Sequence, residues 1–296
     1  MSPRICEAAG VEDAPPRRRF SPKRVLRRWA VLLPLLYLVL LLTAASCERR
    51  LLYPCTLRPT PDAMAYTRDT RRLWVEHGQG RTPADFTPGV GRSAESPGPL
   101  VVFLHGNGEL IEDWAVTAGR PGGLAGYLDR GASVLAVEYR GAGSATGKAT
   151  KDNITADAIA LRDLGAAQPE VDPERVVLHG RSMGGGIVAA VALERPPAGI
   201  VLESTYTKVT DLTKRMLIPT FLNKDRWDII SALERYPGPV FVTHSREDGA
   251  IPFSMAERNA AAAAGPSVLV EVDHPHHELW PDELYGRALE FVTPRQ

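Results

Sequence analysis

Cysteine is scarce in this chain, and its placement narrows the chemistry. The three cysteines among 296 residues, Cys6, Cys47 and Cys55, all precede the segment that holds the other reactive motifs. A disulfide framework and a thiolate metal cage are therefore excluded from the core, as is a thiol nucleophile. Net charge is lacking too, with 35 basic residues balancing 35 acidic ones. No global field exists to hold nucleic acid or steer an anionic polymer, so nucleic acid is not expected as a partner. No internal repeat is visible. The length suits one well-buried domain plus a tail, and nothing in the sequence assigns an oligomeric state.

The first fifty-five residues have a separate character. Arg17, Arg18, Arg19, Lys23, Arg24, Arg27 and Arg28 precede an apolar run from 29 to 45, and Glu48, Arg49 and Arg50 follow it. This is the layout of a signal sequence or signal anchor. The run is at the lower limit for a ~30 Å hydrocarbon core and contains Pro34, so a cleaved signal and a retained anchor both fit. In either case the charge asymmetry places the N-terminus in the cytoplasm and the rest of the chain on the extracytoplasmic side. Ala44-Ala45-Ser46-Cys47 resembles a lipobox that would place a lipid on Cys47, although Ala44 stands where leucine is usual. The expected organisation is a basic tail (1–28), a membrane anchor or signal segment (29–46), a linker with opening strands (47–99) and a catalytic domain (100–296).

From residue 100 onward, short apolar runs alternate with helix-like stretches. The runs cover 100–104, 133–137, 175–178, 200–202, 240–243 and 268–272, and several are apolar throughout, as strands covered on both faces must be. Helices are expected at 154–164, 183–193, 253–264 and 281–291. Strands regularly followed by helices imply an α/β fold with a doubly wound, mostly parallel sheet. Its ligands bind at the carboxyl ends of the strands.

The chemistry-bearing residues follow those strand ends. Gly180-Arg181-Ser182-Met183-Gly184 lies between an apolar strand and a glycine-opened helix, the setting of a nucleophile elbow with Ser182 as nucleophile. A P-loop is a poor match, because the spacing and the Lys-Ser/Thr ending are missing. The run at 100–104 ends in His105-Gly106-Asn107-Gly108. The amides of Met183 and Asn107 are the expected oxyanion donors, and His105 reads as structural. After the run at 240–243, Asp248 is the best-placed acid, with Glu247 and Glu203 as alternatives. The base must come from His274, His276 or His277, because no histidine follows them. Three nearby histidines also suggest a metal site, but there is no second ligand cluster or HExxH helix, so neither metal nor cofactor is expected.

The segments Val102-Phe103-Leu104-His105-Gly106-Asn107-Gly108, Val137-Glu138-Tyr139-Arg140-Gly141-Ala142-Gly143, Leu202-Glu203-Ser204-Thr205-Tyr206 and Asp225-Arg226-Trp227-Asp228, with the elbow, resemble the serine aminopeptidase-like, depalmitoylase-like branch of the α/β-hydrolase family. The resemblance implies an α/β-hydrolase fold with helices on both faces, and His277 as base with His276 as runner-up. It is specific for the fold and not for a substrate. The elbow, the His-Gly-Asn loop and the ordered acid and base lead to the expectation of a serine hydrolase that cleaves a carboxylic ester or thioester through an acyl-enzyme on Ser182, with an aminopeptidase-type amidase or a non-catalytic surface protein of the same fold as alternatives. Two departures are visible. Glu138 stands where the family usually has Asp, and His274-Pro275-His276-His277-Glu278 replaces a Gly-x-Gly-His-Asn loop. The short stretch between Glu203 and Val240 predicts a minimal cap. The expected partners are a small-molecule or lipid-like acyl substrate and, through the N-terminal segment, a membrane.

Overall fold

The structure, a computed structural model, describes residues 22–59, 68–114, 123–215, 217–273 and 280–293. Two compact units emerge, Met1–Ala44 and Ala45–Gln296. The described part of the first belongs to helix α1 (Pro22–Leu52), which continues through Pro34 and well past the apolar run into the second unit. Within it, Leu26–Thr43 is long and apolar enough to cross a membrane. Its leucines and valines are exposed, apart from the half-buried Leu41.

The second unit is built on one eight-stranded sheet. In chain order its elements are β1 (Arg71–His77), β2 (Gly80–Thr87), β3 (Gly98–Leu104), the one-turn helices α2 (Ile111–Trp114) and α3 (Ala125–Leu128), β4 (Ser133–Val137), α4 (Lys151–Ala166), β5 (Val171–Arg181), α5 (Gly184–Glu194), β6 (Gly199–Glu203), α6 (Val209–Arg215), α7 (Ile230–Leu233), β7 (Val240–His244), α8 (Phe253–Ala262), β8 (Ser267–Glu271) and α9 (Asp282–Val292). The strand order is β1-β2-β4-β3-β5-β6-β7-β8. β3 to β8 run parallel, and β2 pairs antiparallel with both β1 and β4.

Alternation along the central strands divides the core into two layers. Leu100, Val102 and Leu104 of β3 join Val176 and Leu178 of β5, Ile200 and Leu202 of β6, and Val240 and Val242 of β7 on the face covered by α4, α5 and α8. The intervening Val101, Phe103, Val177, Val201 and Phe241 point to the other face, against α3 and α9. Burial on both faces is why these runs read as continuously apolar. The composition hid β2, because Pro83 interrupts its pattern. That proline lies just outside the β2–β4 register, which begins at Ala84, so its missing N–H costs that ladder nothing.

Candidate active site

Ser182 stands between the last residue of β5 and the start of α5, with φ at 51°. A non-glycine residue in the left-handed region carries about 1–2 kcal/mol of strain, and neighbouring bonds hold it there. The Ser182 N–H donates to the Glu203 carbonyl at 2.8 Å, and its own carbonyl accepts from the Gly185 N–H at 3.2 Å. The flanking glycines mark close backbone approaches. A Cβ on Gly180 would come 2.6 Å from the Gly184 carbonyl, and one on Gly184 would overlap the Leu104 carbonyl at the end of β3. The Gly-x-Ser-x-Gly spacing is thus set by β5 folding back onto its own helix while the helix presses on β3.

The 105–108 turn is pinned from several directions. The Asn107 carbonyl accepts the Cys55 N–H at 2.9 Å, the Gly106 N–H donates to Glu109 Oε2 at 2.7 Å, and the Tyr139 hydroxyl donates to the His105 carbonyl at 2.6 Å. Met183 caps α5, so its N–H has no intrahelical acceptor. His105 is fully buried, 3.0 Å from Glu138, whose carboxylate also accepts the N–H groups of Ile111 and Tyr139. Burial alone would push the His105 pKa down, but the charge and hydrogen bond of Glu138 outweigh it and hold the imidazole above its usual value. Cys55 packs beneath this turn, and burial pushes its thiol up to about 12, so it is no thiolate.

Asp248 lies four residues beyond β7, its side chain buried. Its Oδ1 accepts the N–H groups of Ala250 and Ile251 at 2.9 and 2.8 Å, and its Oδ2 lies 3.1 Å from His244 Nε2. Two backbone donors fix the direction of this carboxyl group. Of the alternatives, Glu247 is exposed and Glu203 is committed elsewhere. His274, His276 and His277 fall between β8 and α9, outside the described residues. Among the described residues, no group of three or more histidine, cysteine or acidic side chains is placed to hold a metal.

The motif's variable residue has a role that sequence reasoning missed. Arg181 is buried, its Nη1 2.9 Å from Glu203 Oε1 and its Nε 3.3 Å from Glu109 Oε1. Glu203 Oε2 lies 3.1 Å from His179 Nε2, while His179 Nδ1 meets the Tyr127 hydroxyl at 3.2 Å and its ring stacks on Trp280. Because Glu109 also holds the Gly106 N–H, one buried guanidinium links the elbow, the end of β6 and the 105–108 turn. The available signal was an arginine inside a glycine-rich buried turn, which needs partners to be tolerated there. Among the described residues between β6 and β7 stand only α6, a 3-10 turn at Thr220–Leu222 and α7, so the cap is small.

This arrangement matches known proteins. The model of a family described as "Alpha/beta hydrolase family" matches residues 101–230. The uncharacterized protein Rv2307c of Mycobacterium tuberculosis is 30% identical over 254 residues, covering 82% of this chain and 85% of its own length. The Alpha/beta hydrolase domain-containing protein WAV2 of Arabidopsis thaliana is 27% identical over 170 residues, covering 50% of this chain and 55% of its own. Among solved structures, the Pyrococcus furiosus esterase PF2001 superposes with a TM-score of 0.59 at 18% identity, over 79% of this chain and 95% of that one. With this strand order, an elbow after β5 and a relative matched over most of both chains, the protein belongs to the alpha/beta hydrolase family.

Proposed function

We propose that the chain is a membrane-tethered serine hydrolase that cleaves a carboxylic ester or thioester through an acyl-enzyme on Ser182. The observation that carries this reading is Ser182 itself, half-buried and held in the left-handed region at the carboxyl edge of the central strand. In the reaction His277 takes the Ser182 proton as the alkoxide attacks the acyl carbonyl, and Asp248 orients the imidazole and stabilises its cation. The amides of Met183 and Asn107 receive the developing oxyanion; loss of one such donor typically costs about 2.7–4 kcal/mol. His277 then protonates the leaving group, and water attacks the acyl-enzyme. The small cap suits a lipid-like or otherwise extended acyl substrate. The apolar stretch of α1 serves as tether, or a lipid on Cys47 replaces it, with the catalytic unit on the extracytoplasmic side.

A fluorophosphonate probe should label the wild-type chain and leave Ser182→Ala unlabelled. Labelling that survives the substitution would refute the assignment of Ser182. A panel of p-nitrophenyl esters of rising chain length, set against aminoacyl amides, would identify the acyl class.

A further inference from the structure

A cavity of about 490 Å³ opens on the catalytic unit where the chain leaves α1, lined by Ser46, Arg49, Arg50, Lys148 and Lys224 among others. Its lining holds four cations and no carboxylate. Two acids lie nearby outside the lining, Asp225 paired with a cation and Glu48 bonded only to backbone amides, its Oε2 buried without a partner among the described residues. Asp225 accepts Arg49 Nε at 3.2 Å and the Tyr53 hydroxyl at 3.1 Å, while Glu48 accepts the N–H groups of Lys224 and Asp225. Lys224 Nζ donates to the Ala45 carbonyl at 2.9 Å, a bond that leaves its charge uncompensated. Arg50 and Lys148 are exposed and make no ion pair among the described residues. The cavity is therefore a concentrated positive site.

Its position along the chain indicates the ligand. The membrane-crossing stretch ends at Thr43, and helix α1 continues to Leu52. Ser46 follows the end of that stretch by three residues, and Arg49 and Arg50 by six and seven, so the chain itself keeps them near the bilayer surface. The polar headgroup layer on each side of a bilayer is about 5–7 Å deep, and long basic side chains reach back towards it. We propose that this cavity binds the phosphate of an anionic phospholipid headgroup from the leaflet that faces the catalytic unit. The inference rests on the uncleaved α1 form of the tether proposed above, not on a lipid at Cys47 and not on the hydrolase chemistry. Bound there, a headgroup holds the catalytic unit at the bilayer surface beyond what the single tether provides.

The test uses the full chain, extracted from membranes in a neutral detergent and titrated with phosphatidylglycerol, phosphatidylcholine or inorganic phosphate under native mass spectrometry. Phosphatidylglycerol should bind at least tenfold more tightly than phosphatidylcholine. The double variant Arg50→Gln/Lys148→Gln should weaken it by about 10- to 30-fold, as expected for removing two surface cations. Arg50→Lys/Lys148→Arg should keep most of the affinity, and the remote pair Arg195→Gln/Arg235→Gln should bind as wild type. Equal affinity for the two lipids, undiminished binding in the Arg50/Lys148 glutamine variant, or inorganic phosphate binding as tightly as the lipid would each overturn the proposal. Fluorophosphonate labelling of the same preparations reads the hydrolase assignment separately, so either can fail alone.

Discussion

Arg181→Met removes a cation that the buried carboxylate of Glu203 shares with Glu109 while roughly preserving side-chain volume. Breaking a buried ion pair from one side typically costs about 3–5 kcal/mol, because the remaining charge stays desolvated. The geometry places this case near the lower end. Glu203 keeps His179 at 3.1 Å, and the Glu109 side chain is 25% exposed, so water screens it. About 3 kcal/mol is expected, which for a unit of roughly this size lowers the thermal midpoint by about 6–12 °C. Glu203→Gln in the Arg181→Met background removes the stranded charge and should recover a good part of the loss. A double-mutant cycle should therefore show strong coupling between the two sites. Scanning calorimetry on wild type, both single variants and the double variant measures all of this. A midpoint drop below about 2 °C for Arg181→Met would refute the idea that this guanidinium links the elbow to its neighbours.

Two further outcomes are expected. In Asp248→Asn the amide oxygen can still accept from Ala250 and Ile251, but its NH2 turns towards buried His244 Nε2, so circular dichroism checks that the fold is kept. In the folded variant kcat/KM should fall about 10,000-fold as the proposed base loses its orienting charge; an unchanged rate constant there would remove Asp248 from the proposed triad. His105 is held above its ordinary pKa of about 6.5, so its pairing with Glu138 contributes stability below about pH 6.5 that is lost as pH rises through the folded-state value. Urea unfolding should show wild-type stability declining over that rise, and His105→Asn should show a flatter profile. Parallel curves would contradict the charged pair.

Much of the catalytic half was legible in the sequence because both-face burial leaves a direct signature. Strands β3 to β8 appeared as apolar runs within a few residues of their ends, and β4 coincided with its run. The elbow was legible because two glycines flanking a serine have a steric cause that is local to the turn. The antiparallel β2 was not, since Pro83 breaks the alternation and only pairing with β1 and β4 makes the segment a strand. Pairing also decided the fate of Glu203. As a strand-end carboxylate it was a reasonable acid, but Arg181 and His179, carried beside it on β5, already occupy both of its oxygens.

The sequence by itself determined the family and the candidate nucleophile, because motif spacing and hydrophobic period are written along the chain. Only the tertiary structure decided what holds those parts in place. The buried Arg181 cluster, the Cys55 amide fixing the Asn107 turn and the basic cavity beside Ser46 each join residues tens to well over a hundred positions apart. Such contacts depend on how the strands are ordered across the sheet, and that order is set by packing both faces of the sheet at once rather than by any local stretch of chain.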